Sequence, residues 1–192
     1  MENKFLKLNP GREKSLLRRH VWIFSGAVAD YPGEAAPGET VEVFDAKNNF
    51  LARAAYSPDS QLIARVWTFD RDEQIDEAFF ARRIKAAVEY RHFLKLDDPK
   101  GGCRLINSAG IEFHRDTIVK LLAEITGAAS IYERSDVSVR AKEGLAERSG
   151  LLYGAQPPNP VIIEENGARF AVDVRHGQKS GFYFDQRCAR AA

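Results

Sequence analysis

Thr40-Val-Glu-Val-Phe-Asp-Ala-Lys-Asn-Asn-Phe-Leu-Ala-Arg-Ala-Ala-Tyr56 reads as two short strands joined by a tight loop. The runs Thr40 to Phe44 and Phe50 to Tyr56 have β-type composition. Asp45 to Asn49 between them fits a hairpin connection, because Asn and Asp tolerate left-handed turn conformations. A third such run, Leu62 to Phe69, follows at once. Upstream, Pro10-Gly11, Pro32-Gly33 and Pro37-Gly38 punctuate the chain. Short strands at this spacing favour a small sheet or barrel over the first seventy or so residues. Glu13 to Arg19 has no helix breaker and reads as a helix interrupting that barrel, with Leu16 and Leu17 on one side and cations on the other. A Trp-Ile-Phe run entering a strand usually packs inward, so Trp22 is expected in the core.

The pattern changes after Phe69. Asp76 can cap a helix that runs to Leu94, where Phe80, Ile84, Ala87, Val88 and Arg91 follow helical spacing. Asp98-Pro-Lys-Gly-Gly102 makes a linker. Arg115 to Ile125 is a second amphipathic helix through Ile118, Val119, Leu122 and Ile125, stopped at Gly127. Ser130 to Arg134 reads as a strand. Val161 to Val174 reads as an Asn166-Gly167 hairpin whose second arm alternates Phe170, Val172 and Val174 with Arg169, Ala171 and Asp173. The fold class expected is therefore α+β, a β-rich barrel to about Phe69 followed by a helix and a small α+β sheet domain.

Composition narrows the function classes. The 192 residues are 44% hydrophobic and 29% charged, an ordinary globular balance with room for one large or two small domains. A net charge of +1 argues against a wholesale electrostatic grip on nucleic acid, so any such grip must come from local clusters. Arg12, Lys14, Arg18, Arg19 and His20 form one, opposed only by Glu13. Cys103 and Cys188 lie far apart and form no CxxC, which argues against a disulfide framework or a zinc knuckle and points to a reducing, cytoplasmic setting. No apolar run approaches the ~18 residues of a membrane span, and no membrane partner is expected.

A second cluster lies in His176-Gly-Gln-Lys-Ser-Gly-Phe-Tyr-Phe-Asp-Gln-Arg187, where aromatic bulk alternates with an acid, an amide and cations. That mixture suits a polar, flat or phosphorylated ligand held between stacking and hydrogen-bonding groups. No strand, glycine-rich turn and helix follow one another as a doubly wound nucleotide site requires. His20 and His176 have no second ligand at metal spacing, so no metal is expected. Ser180 lacks a nucleophile elbow, and neither cysteine has a neighbouring histidine to activate it.

Gly11-Arg-Glu-Lys-Ser-Leu-Leu-Arg-Arg-His20, Trp22-Ile-Phe-Ser-Gly-Ala27, Ala55-Tyr-Ser-Pro58, Ile131-Tyr-Glu-Arg-Ser-Asp136, Val139-Arg140 with Lys142-Glu-Gly144, and His176-Gly177 through Asp185-Gln-Arg187 together resemble the large-subunit ribosomal RNA cytosine-C5 methyltransferase family, ribosomal RNA large subunit methyltransferase I. The likeness is collinear over almost the whole chain. It implies a PUA-type RNA-binding domain over 1–70, a connecting helix and linker over 71–102 and a central α+β domain over 103–187. Residues 188–192 would begin a linker to a Rossmann-like domain, absent here, that binds S-adenosylmethionine. On this resemblance the partner is ribosomal RNA and the basic segment 12–20 is the RNA-contacting face. Lys179, Tyr183, Asp185, Gln186 and Arg187 would shape the rim of the active site or cofactor site. The cysteine nucleophile of 5-methylcytosine chemistry would lie in the missing domain, so these residues alone supply no catalytic group and no cofactor is expected on them.

The sequence departs from the family pattern in three places. It stops just after Asp185-Gln-Arg187, as a fragment or truncated product would. Arg104-Leu-Ile-Asn107 passes directly to Ser108, where the family has roughly two dozen further residues forming a strand pair. Val21 stands where the family usually has proline before the tryptophan. Two other readings stay open: a stand-alone PUA-type RNA-binding module, and a homodimerisation scaffold built on the central domain.

Overall fold

Backbone conformation in the first eighty residues follows the turn chemistry closely. The computed structural model describes residues 4–103, 105, 112–136, 140–141, 144–178 and 181–190. The expected discontinuity at Asn107 and Ser108, Lys179, Ser180, and Val139 with Lys142 and Glu143 of the resemblance motifs lie outside the described residues. The described part divides into two units, the first built on 1–79 with contributions from 108–115 and 141–145, the second on 80–107, 116–140 and 146–192.

In the first unit, strands β1 (Phe5–Leu8), β2 (Trp22–Ile23), β3 (Val28–Asp30), β4 (Thr40–Phe44), β5 (Phe50–Tyr56) and β6 (Ala64–Thr68) form one sheet in the order β2-β6-β5-β4-β1-β3. All neighbours are antiparallel except β1 and β4, which pair in parallel through Leu6 and Val43. Bulges at Lys7/Leu8, Val43/Phe44 and Arg53/Ala54 add the local twist that curls the sheet. The result is a curled half-barrel and not a closed barrel. Among the described residues its edge strands β2 and β3 do not pair with each other, and each is only two or three residues long.

The opening hairpin forms because Asp45 organises its loop. Its Oδ1 accepts hydrogen bonds from the backbone N–H of Lys47 and of Asn49, both at 2.8 Å, while Asn48 takes the left-handed conformation at φ 65°. Alternation then sends Val41, Val43, Ala52 and Ala54 inward, where all four are fully buried with Leu6, Leu8, Ile23 and Leu16. Each fully buried aliphatic of valine or leucine size contributes about 1.5–3 kcal/mol. The glycine at 38 has a specific reason: at φ +82° a Cβ there would stand 2.8 Å from the Cβ of Phe113. The turn Glu112–His114 thus packs against this unit, with His114 edge-on to Trp67 at 6.2 Å.

Two expectations fail here. The helix read over Glu13 to Arg19 is a single turn, α1 (Lys14–Leu17), and its two leucines do not share a face: Leu16 is 2% exposed and Leu17 is 66% exposed. Adjacent positions differ by ~100° around a helix, so one turn can bury only one of them. Trp22 is also not core. The two-residue strand β2 turns Ile23 inward at 1% exposure and leaves Trp22 and Phe24 at 49% and 52%.

Helix α2 (Glu77–Phe93) begins where Asp76 Oδ1 accepts the N–H of Phe79 at 2.8 Å, the capping interaction its sequence offered. In the second unit, Ile84 is buried on α2. Helix α3 (Arg115–Thr126) buries Ile118 and Leu121 and ends at Gly127, φ +65°, whose N–H reaches the Ala123 carbonyl. Val119, Leu122 and Ile125 are only half-buried, so the inward face is rotated from the expected one. Strands β7 (Ser130–Ser135) and β8 (Arg148–Gly154) make one antiparallel hairpin, and β9 (Val161–Glu165) and β10 (Ala168–Val172) make another. The second turns on Asn166 and Gly167, both left-handed at φ 53° and 80°, the type I′ geometry that matches strand twist. The last described element is the short helix α4 (Arg187–Arg190).

Candidate nucleic-acid interface

The basic segment is assembled by capping chemistry. Asn9 donates its backbone N–H to Ala27 and its side-chain amide to the Val28 carbonyl, and its own carbonyl accepts the Arg12 N–H. That fixes the entry to α1. At the exit, the Arg19 N–H donates to the Leu16 carbonyl and the His20 N–H to the Ser15 carbonyl, with Arg19 left-handed at φ 64°. This is a Schellman closure with arginine where glycine is usual.

The closure decides where the five sequence-predicted residues go. Arg12 and Lys14 are exposed and line a groove of about 430 Å³ together with Gly11, Ser15, Trp22 and Phe24. Arg18 caps the turn and is exposed. Arg19 lies with its guanidinium 4.8 Å over the Phe69 ring, which draws it onto the sheet unit itself. His20 stands edge-on to Trp22 at 5.7 Å and accepts the Trp22 N–H on Nδ1 at 3.3 Å. The five are neighbours, but only two of them join the aromatics of one groove.

The second cluster lies wholly in the second unit. Tyr183, Asp185 and Arg187 line a cleft of about 400 Å³ with Tyr90, Arg91 and Cys103. The Tyr183 hydroxyl donates to Gln178 Oε1 at 2.8 Å, and Gln186 is exposed. Lys179 lies outside the described residues.

What organises this segment is a pair that sequence reasoning missed. Arg190 grips Glu165 with two parallel bonds, Nε to Oε1 at 2.7 Å and Nη2 to Oε2 at 3.1 Å. Its Nη1 donates to the Tyr183 carbonyl, and its guanidinium sits 4.3 Å over the Phe182 ring. Glu165 is 7% exposed, and its carboxylate raises the guanidinium's hold on its proton. The signal was present in β9: Glu165 is in phase with buried Ile163, and a carboxylate on an inward face needs a cation. Nearby, Arg134 donates to the carbonyls of Val174 and Gly177 and pairs with Asp136 at 3.0 Å, which pulls that carboxyl below its ordinary value. Asp173 is pulled down likewise by accepting the N–H groups of His176 and Arg175.

Chemically, the first site offers cations beside exposed rings, and the second offers a tethered aromatic and acidic rim. A doubly wound cofactor site needs parallel strands joined by a crossover helix, and both sheets of the second unit are antiparallel hairpins. The described residues therefore do not fit S-adenosylmethionine in that mode. Among them no group of three or more histidine, cysteine, aspartate or glutamate side chains could hold a metal, and no helix is long and apolar enough to cross a membrane. Cys103 and Cys188 are free thiols.

Residues 6–69 match a PUA-like domain family. Proteins named ribosomal RNA large subunit methyltransferase I from Yersinia pseudotuberculosis serotype O:1b and from Yersinia pestis are each 48% identical over 210 residues, covering 97% of this chain and 53% of theirs. The chain thus spans about half the length of the curated relatives it matches. The alignment is 210 positions long although only 97% of 192 residues enter it, so about two dozen positions have no counterpart here. In fold, the chain is similar to a Streptococcus mutans protein described as a SAM-dependent methyltransferase, at TM-score 0.74 and 20% identity over 97% of this chain and 52% of the other. A second solved structure, described as a methyltransferase complexed with SAH, matches at the same score and identity over 100% of this chain and 53% of that one. The chain is a homologue, over about half of their length, of the proteins named ribosomal RNA large subunit methyltransferase I, and it carries a PUA-like domain.

Proposed function

We propose that this chain is the RNA-holding portion of an S-adenosylmethionine-dependent large-subunit rRNA cytosine-C5 methyltransferase, and that these residues alone do not methylate. The observation that carries this is the pairing of a PUA-like domain over 6–69 with 48% identity that continues over 97% of the chain while covering only 53% of the relatives. Identity extending so far past residue 69 disfavours a stand-alone module. In this reading residues 1–70 are a PUA-type domain that holds ribosomal RNA through Arg12, Lys14, Arg18, Arg19 and His20. Residues 71–102 connect, and 103–187 form a central domain lacking one hairpin near 107–108, which the two dozen unmatched positions support. Residues 188–192 lead on toward the part that binds S-adenosylmethionine in the relatives, and Lys179, Tyr183, Asp185, Gln186 and Arg187 form the rim that meets it. The setting is cytoplasmic, where both thiols stay reduced.

The test is binding of a large-subunit rRNA fragment to this chain, followed by fluorescence anisotropy, with a parallel calorimetric titration of S-adenosylmethionine. Salt-dependent RNA binding without cofactor heat is expected. Tight binding of the sulfonium donor, or methylation of cytosine by these residues alone, would overturn the proposal.

A further inference from the structure

Two large rings on the first unit, Trp22 and Phe24, are half exposed. Alternation in β2 buries Ile23 and leaves Trp22 and Phe24 half exposed on either side of it, both opening into the groove that Arg12 and Lys14 border. Gly11 and Gly26 also line the groove, with open space where a Cβ would stand at either position. A flat apolar surface, bare backbone and two cations at its edge make the complement of one nucleotide. The base has a π-face for a ring, and its phosphate has a charge for Arg12 and Lys14. A duplex keeps its bases stacked on each other and offers no face to a tryptophan.

We infer that this groove receives a single unpaired nucleotide, its base stacked on Trp22 with Phe24 alongside and its phosphate against Arg12 and Lys14. The inference rests on the RNA-holding reading above and adds the ring, the strandedness of the ligand and the place of the base. His20 stands edge-on to the Trp22 ring and accepts the Trp22 backbone N–H on Nδ1, which places it beside the stacking surface.

The experiment uses the full chain and tryptophan emission, which reports Trp22 against only one other indole, Trp67. A short uridine oligoribonucleotide is titrated in at low salt, single-stranded and then paired with its complement. Quenching by the single strand is expected, absent in Trp22→Phe because Trp67 packs against Phe79 and His114. Trp22→Ala should weaken binding by about 5- to 150-fold, the range for stacking one base on an aromatic ring, and Trp22→Phe by less. Circular dichroism checks that both variants fold. Three results overturn the inference. If RNA binds with salt dependence but Trp22→Ala binds as the parent does, the stacking site is wrong and the RNA-holding reading stands. If the duplex quenches as strongly as the single strand, the unpaired-base assignment is wrong. If no RNA binds, the function proposal itself fails and this inference falls with it.

Discussion

Removing Arg12 and Lys14 together separates a phosphate-binding edge from a merely basic surface. Each phosphate of a single strand neutralised by a cation contributes ~0.7 to the slope of log affinity against log salt, through counterion release. Two cations line the groove, so Arg12→Ala with Lys14→Ala should make that slope shallower by about 1.4. Between 50 and 200 mM salt, about 0.6 on the logarithmic scale, the parent's affinity should therefore fall about sevenfold more than the variant's. Arg19 is the comparison. Its guanidinium lies 4.8 Å over Phe69, outside the groove, so Arg19→Ala should make the slope shallower by no more than one phosphate contact, about 0.7. Fluorescence anisotropy of a labelled single-stranded rRNA fragment across a salt series measures all three. An unchanged slope in the double variant, or an equal loss from Arg19→Ala, would refute the assignment of phosphate contacts to the groove edge.

The remaining predictions concern folding. Arg19 is left-handed, a conformation costing most residues about 1–2 kcal/mol and glycine almost none, so Arg19→Gly should melt at a higher temperature than Arg19→Ala in calorimetry. Gly154 is left-handed at φ +72° and a Cβ there would collide with the Ala129 carbonyl, so Gly154→Ala should lower the thermal midpoint and speed amide exchange along β7 and β8. Burial holds the His114 imidazole below its ordinary 6.5, so the folded state binds fewer protons than the unfolded one. Stability is then complete above 6.5 and declines as pH falls from there through the lower folded value, and His114→Gln should flatten that decline in thermal melts. Arg190→Ala leaves the buried Glu165 carboxylate without its bidentate partner, and hydrogen exchange over 181–187 should accelerate.

Much of the fold is local chemistry, and that part could be read from residues alone. Asp45 with Asn48, Asn166 with Gly167, Asp76 at a helix start and Gly127 at a helix end each act within four residues of themselves. What could not be read depends on distant partners. The parallel pairing of β1 with β4 joins segments about thirty-five residues apart, and no pattern inside Phe5–Leu8 specifies it. Gly38 looks like an ordinary turn glycine until Phe113 is found against it. The four-residue α1 contains no breaker that would mark its end, because the Schellman closure at Arg18 to His20 stops it without a glycine.

The misplacement of Trp22 is the instructive case for the site. The expectation weighed the size of the side chain, since a large ring entering a strand gains most by burial. A strand of two residues has one inward position, and Ile23 takes it at 1% exposure. Trp22 is then left at the surface by geometry, while its backbone N–H stays bonded to His20 and its neighbour Arg19 is drawn away onto Phe69. The basic run and the aromatic run, twelve residues that looked like one charged helix followed by one core strand, thus exchange roles in part: one cation turns to the sheet and two rings turn to solvent. The groove bordered by Arg12 and Lys14 owes its exposed rings to the second of those reversals, and neither can be inferred from charge counting or hydropathy, because each depends on which side of a single turn the chain emerges.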